Sequence, residues 1–275
     1  MQVHLEKKPI VSVDWLQEHL SATNLVILNG TIPKVVNPEY QGETHQILNA
    51  RFFDIKKVFS DTTAQFPNMM LDAATFTEKA QKLGINQDSV IVVYDELGIY
   101  ASPRVWCMLK AMGFHNIAVL DGGFPAWKAK NYPTEFKKTY TGNRGDFQAT
   151  ATLPLFKNHA TMLQVVENGK SVIVDARSAA RFSGQVPEPR KGLRSGHIPT
   201  SKNLPYTEVL QNHHFKSKID LQNIFSSFLQ DNSPFVFSCG SGITACILAV
   251  AAELADYTDY AVYDGSWTEW GTLHN

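Results

Sequence analysis

Cys239 opens the segment CGSGITA, residues 239–245, which follows the apolar run FVFS and leads into the helical pattern ITACILAV. A cysteine at a helix N-terminus meets the positive end of the helix dipole and a group of unpaired backbone N–H donors. Both favour the thiolate, which is the nucleophilic form of the side chain. Gly240 and Gly242 allow a tight curl whose N–H groups point inward at a bound anion. Ile243 belongs to the same loop, and Ser241 and Thr244 add hydroxyl donors. The expected chemistry is nucleophilic catalysis at Cys239, with the loop holding a negatively charged sulfur or the anion attached to it. The other two cysteines read as core residues. Cys246 falls on the stripe Ile243, Cys246, Ile247, Val250 and Leu254, and Cys107 falls in the helical segment PRVWCMLKAM.

The elements that must position this loop occur twice. VLDGGFPAW at 119–127 matches VYDGSWTEW at 262–270, SVIVVYDELG at 89–98 matches PFVFSCGSG at 234–242, and NLVILNGT at 24–31 matches KSVIVDAR at 170–177. Self-similarity of this kind indicates two copies of one domain. The joint is placed in the polar stretch around residues 135–154, giving domains at 1–136 and 154–275 with a linker at 137–153. Within each copy, short β-branched runs alternate with helical patterns. That alternation predicts an α/β fold in which each domain is a mainly parallel sheet flanked by helices on both faces. Cys239 then lies at a strand C-terminus, where ligand sites of open α/β sheets form. The first copy has Asp95 at the place of Cys239 and lacks the paired glycines, so thiol chemistry is expected only in the second.

Bulk properties exclude several classes. The 275 residues are 44% hydrophobic and 19% charged with a net charge of −1, as for an ordinary folded domain pair without a nucleic-acid footprint. No run approaches the roughly 20 apolar residues of a membrane helix. The N-terminal stretch shows no apolar secretory core. Three cysteines cannot make a disulfide framework. A cytoplasmic, reducing location is expected.

CGSGITA, the duplicated domain, SPRVW at 102–106 and VYDGSWTEWG at 262–271 resemble the two-domain sulfurtransferases of the rhodanese superfamily, over nearly the whole chain. The loop is similar to that of members acting on 3-mercaptopyruvate. Members acting on thiosulfate tend to carry Cys-Arg-Lys-Gly, with two cations for a dianion. The resemblance implies that Arg181 and Arg190, in DARSAARFSGQVPEPRKGLRSGHIP, contact the substrate. A planar guanidinium grips a carboxylate bidentately and polarises an adjacent carbonyl. Arg177 and Arg194 are expected to be structural or peripheral. It further implies a persulfide on Cys239, release of pyruvate, and transfer of the outer sulfur to thioredoxin, a small thiol or cyanide, with neither metal nor cofactor.

One departure concerns a histidine that family members carry in His-Ile-Pro-Gly-Ala before Phe-Phe-Asp, as a proton relay to the loop serine. Here HQILNARFFD places Gln46 at that position and His45 one residue early. Either His45 is displaced into service or Ser241 works without the relay. His197 in SGHIP is expected to be structural. A phosphatase would need arginine six residues after the cysteine, where Ala245 stands. Thiosulfate sulfurtransfer and a non-catalytic persulfide carrier or redox module remain the competing readings.

Overall fold

The structure is a computed structural model describing residues 2–6, 8–150, 154–229 and 233–274. The chain divides into two compact units. The first comprises Met1–Asp61, Met70–Leu153 and Asn212–His214; the second comprises Thr62–Met69, Pro154–Gln211 and Phe215–Asn275. Neither unit is continuous in sequence, because each contains a short stretch from the other repeat.

The first unit is built on five parallel strands: β1 (Ile10–Val11), β2 (Leu25–Asn29), β3 (Arg51–Phe52), β4 (Val90–Tyr94) and β5 (Ile117–Leu120), in the spatial order β1-β5-β4-β2-β3. The second repeats it with β6 (Phe156–Lys157), β7 (Val172–Asp175), β8 (Lys202–Asn203), β9 (Phe235–Ser238) and β10 (Tyr260–Tyr263), in the order β6-β10-β9-β7-β8. The same order in both units is the structural counterpart of the repeat in the sequence.

Central strands of parallel sheets are covered on both faces, so their sequences are apolar throughout. VIVVY of β4 is buried at every position. Its alternate residues Val92 and Tyr94 face Leu16, Phe124 and Trp127, while Val93 lies on the other side near Val105 of the helix Ser102–Ala111. In the second unit Ile173, Val236 and Tyr263 pack with Met162, Trp267 and Trp270. The helix Ala245–Leu254, ACILAVAAEL, has eight of its ten residues buried and packs on β9, β10 and the helix Lys218–Ser226. A helix apolar all round is a buried one.

The stretch expected as a linker, 137–153, is seated on the first unit over its described part. Phe147 is fully buried against Phe114, its N–H donates to the Ile85 carbonyl, and its carbonyl accepts from Gln81 at 2.9 Å. Residues 151–153 lie outside the described residues.

After β4, Glu96 is a buried carboxylate surrounded by donors: Asn29 Nδ2 at 2.9 Å, Lys137 Nζ at 2.5 Å, Glu43 N at 2.8 Å and Tyr40 Oη at 3.0 Å. Burial works to raise its pKa, but the bonds from Lys137, the Glu43 N–H and Asn29 outweigh it and hold the carboxyl below the ordinary value of 4.5. A group depressed in this way contributes stability above its unfolded value, and the contribution is lost as pH falls through the lower folded value. Glu96→Gln is expected to destabilise the chain by about 2 kcal/mol at pH 7, the range for charge-assisted hydrogen bonds. The difference from the parent chain should shrink below pH 4.5, which urea unfolding on both sides of that value would measure.

Candidate active site

Four of the described helices are capped by their own N-cap side chain. Ser12, Asp72, Asn158 and Ser217 each accept a hydrogen bond from a backbone N–H in the first turn. The two helices at the carboxyl ends of β4 and β9 are not: Ala101 and Thr244 occupy the N-cap positions and make no such bond.

In the first unit Asp95 supplies the missing acceptor. Its Oδ2 accepts from the N–H groups of Tyr100, Ala101 and Ser102, each at 2.9 Å, and from Ser102 Oγ at 2.8 Å. The backbone thus forms a cradle for one negatively charged atom at the helix N-terminus. In the second unit, counting back from the helix start, Ile243, Thr244 and Ala245 take the places of Tyr100, Ala101 and Ser102. None of their N–H groups has an acceptor among the described residues. The residue at the foot of this cradle is Cys239, buried with 1% of its surface exposed.

The loop from Cys239 to Thr244 is fastened from beneath by the turn after β10. Trp267 N donates to the Cys239 carbonyl at 3.0 Å, and the N–H and hydroxyl of Thr268 both donate to the Gly240 carbonyl. Ser266 Oγ accepts from Cys239 N at 3.2 Å and Gly242 N at 3.1 Å and gives its own proton to the Tyr263 carbonyl at 2.8 Å. It lies 4.0 Å from Cys239 Sγ. The Cys246 thiol donates to the Gly242 carbonyl at 3.3 Å, so this core cysteine also ties down the loop. Gly242 takes φ +75°, a left-handed conformation that glycine adopts without cost.

The first unit has Gly123 where the second has Ser266, and both adopt positive φ. A side chain at Gly123 would come within 2.3 Å of the Gly98 carbonyl and 2.6 Å of that of Asp95. The loop before the helix is one residue longer there, from Asp95 to Ser102 against Cys239 to Ala245, and it fills the space that the serine uses.

Arg181 and Arg190 converge on Gly240. A Cβ at that position would lie 3.1 Å from Arg181 Nη2 and 3.7 Å from Arg190 Nη1, so glycine leaves room for both guanidinium groups. Arg190 Nη2 donates to Ser241 Oγ at 2.8 Å. Arg181 is gripped from behind by Glu188, through Nε to Oε1 at 3.1 Å and Nη2 to Oε2 at 2.5 Å. Glu188 also binds Arg177 at 2.8 Å, and Arg177 is fully buried on Asp175, the Gly196 carbonyl and the face of Trp267. Burial works to lower the Arg177 pKa, but Asp175 and Glu188 offset it and hold the value above the ordinary one. Arg177 and Arg181 thus share Glu188, and Arg181 and Arg190 share the space beside Gly240.

The residues at the expected relay position are engaged elsewhere. Gln46 donates to the Ala50 carbonyl at 2.9 Å and to Glu135 at 3.1 Å, and the His45 ring packs on Phe136. The Ser241 hydroxyl instead meets Asn68, a member of the second unit through the stretch Thr62–Met69, at 3.1 Å. His197 stacks on Phe182 and its Nδ1 contacts that residue's carbonyl at 3.0 Å. Arg194 binds the His274 carbonyl and lies over Trp267. Asn68, Glu188 and Ser266 are the site residues that sequence reasoning did not single out. Only Ser266 carried a signal, as the serine of DGSW set against the glycine of DGGF.

A cysteine at the foot of a strand–loop–helix cradle, in one copy of a duplicated parallel α/β unit, points to a class of repeated α/β proteins. The model of the rhodanese-like domain matches residues 12–130 and 159–273, and the chain belongs to that family. It is 37% identical over 274 residues to the 3-mercaptopyruvate sulfurtransferase of Mus musculus, covering 96% of this chain and 92% of that one. It is 36% identical over 276 residues to the thiosulfate sulfurtransferase of the same organism, again covering 96% and 92%. Among solved structures it is similar to SseA from Escherichia coli, described with the 3-mercaptopyruvate sulfotransferases, at TM-score 0.81 and 31% identity over 94% of this chain and 99% of that one. Among the described residues no helix is long and apolar enough to cross a membrane, and no group of three or more His, Cys, Asp or Glu side chains could hold a metal ion.

Proposed function

We propose that this chain is a 3-mercaptopyruvate sulfurtransferase whose nucleophile is Cys239. The observation that carries the reading is the pair of equivalent cradles. Asp95 Oδ2 stands two bonds beyond Cβ, as the outer sulfur of a cysteine persulfide would, and it engages three N–H groups and a hydroxyl. The same backbone in the second unit stands ready for a sulfur carried on Cys239.

The Cys239 thiolate attacks the sulfur of 3-mercaptopyruvate. An S–S bond forms, the C–S bond breaks with its electron pair passing to carbon, and pyruvate leaves as the enolate. The proton of the substrate thiol balances the enolate's conversion to pyruvate. The charge left on the outer sulfur faces the N–H groups of Ile243, Thr244 and Ala245. Arg181 and Arg190 hold the carboxylate and keto group. An acceptor thiolate then takes the outer sulfur and regenerates Cys239, completing double-displacement catalysis. Thioredoxin or a low-molecular-weight thiol is the acceptor we assign. The three cysteines are buried thiols, and a reducing cytoplasm is the location we assign.

The uncharged Gly240 and Ser241, where a thiosulfate-type loop carries two cations, suit a monoanionic 2-oxo acid better than the thiosulfate dianion. The similarity to a thiosulfate sulfurtransferase makes thiosulfate the competing donor. Pyruvate release from 3-mercaptopyruvate with a thiol acceptor is expected to exceed thiocyanate formation from thiosulfate and cyanide by about tenfold or more in kcat/KM. The opposite preference would replace the donor, and turnover of neither would leave a persulfide carrier.

A further inference from the structure

The Ser241 hydroxyl is held by two donors. Asn68 Nδ2 lies 3.1 Å from its Oγ, and Arg190 Nη2 lies 2.8 Å from the same atom. Asn68 Nδ2 also reaches the Ser241 carbonyl, at 3.0 Å. A carbonyl oxygen only accepts, so the group facing it must be the NH2 end of the amide, and the orientation of Asn68 follows from its partner. A hydroxyl has two lone pairs and one proton. With both lone pairs taken, the Ser241 proton is directed away from Asn68 and Arg190, and it has no acceptor among the described residues.

We propose that Asn68 is a positioning residue: its amide, acting with the Arg190 guanidinium, fixes Ser241 as a hydrogen-bond donor to the oxygen on which charge develops as the pyruvate enolate leaves. The inference rests on the sulfurtransferase reading and adds what that reading lacked, a partner that sets the direction of the Ser241 proton. A donor aimed in advance at developing charge lowers a barrier more than one that must reorient. An amide does not titrate, so this arrangement holds its direction at any pH where the protein is folded. Asn68 is buried and has φ +64°, a backbone state that asparagine tolerates better than most residues.

The backbone state decides which variants are informative. Aspartate keeps the shape and also tolerates positive φ, but it replaces the donor by an acceptor. In Asn68→Asp the carboxylate repels the Ser241 carbonyl and draws the hydroxyl proton onto itself. The expected result near neutral pH is a fall in kcat of about 10- to 100-fold, with KM changed far less. The ratio of variant to parent kcat should climb as pH falls through the carboxyl range, because a protonated carboxyl donates again. Asn68→Gly keeps the backbone state and removes the side chain; a loss of about tenfold without that pH recovery is expected.

Each variant is also made on Ser241→Ala, where the effect of Asn68→Asp should largely vanish. An equal loss in both backgrounds, or no loss in either, would overturn the proposal. The same cycle read by the rate of Cys239 alkylation with iodoacetate requires no sulfur donor. Coupling there, in a chain that releases no pyruvate, would overturn the sulfurtransferase reading and keep the coupling of Asn68 to Ser241. Absence of coupling in a chain that does release pyruvate would overturn the role of Asn68 alone.

Discussion

Cys239→Ser is expected to lower pyruvate release by roughly 10⁴-fold or more while the chain remains folded. Serine fits the site, because the surrounding contacts run through the backbone of residue 239: its N–H to Ser266 and its carbonyl to Trp267. A hydroxyl cannot hold a transferable sulfane sulfur, so binding and the arginine cluster survive without a covalent route. The informative assay is a single turnover followed by intact mass. The parent chain should gain one sulfur atom on incubation with 3-mercaptopyruvate and lose it to a thiol, while the variant should gain none. Cys107→Ser and Cys246→Ser should still gain the sulfur. If either of them failed to do so while Cys239→Ser succeeded, the nucleophile would be misassigned.

Arg177→Met should carry the largest cost in stability, about 3–5 kcal/mol. The side chain is fully buried and is the common partner of Asp175 and Glu188, themselves buried. Removing it takes the guanidinium from Asp175 and one of two from Glu188 in a low-dielectric interior, and this uncompensated charge makes breaking a buried pair so unfavourable. It also takes one of the two donors from Glu188 Oε1, which is left with Arg181 alone, so the carboxylate that grips Arg181 loses its second anchor and kcat/KM for 3-mercaptopyruvate should fall as well. Arg181→Met should cost less stability, because Arg181 is 18% exposed and Arg177 still covers Glu188. Urea unfolding followed by circular dichroism ranks the two variants, and an Arg181→Met cost equal to that of Arg177→Met would contradict the network described.

Much of the site was legible because it is contiguous in the chain. A β-branched run, a cysteine, two glycines and an apolar helix specify a strand, a cradle and a thiol at its foot through local rules, and the repeat placed that segment in its fold. Arg181 and Arg190 were legible only through resemblance, since nothing in their spacing shows that both reach Gly240. Arg177 was expected to be structural or peripheral, and it is the buried centre of the arginine cluster. The relay histidine was sought at His45 and Gln46, whereas Ser241 meets Asn68. That contact spans 173 positions of sequence, and PNMM carries no periodicity or charge pattern that could announce it. Glu188 was hidden for a similar reason: a glutamate in a polar stretch reads as solvated until folding sets it behind two guanidinium groups.

The stretches Thr62–Met69 and Asn212–His214 each belong to one repeat by sequence and to the other unit by packing. The two repeats therefore cannot be separated by a single cut that leaves each packing unit whole. A cut at the joint would give a C-terminal half with the cysteine, the glycine loop and both arginines, but the amide on Ser241 would stay behind in the discarded piece. The N-terminal repeat thus encodes a side chain that packs within the other unit, on the loop serine.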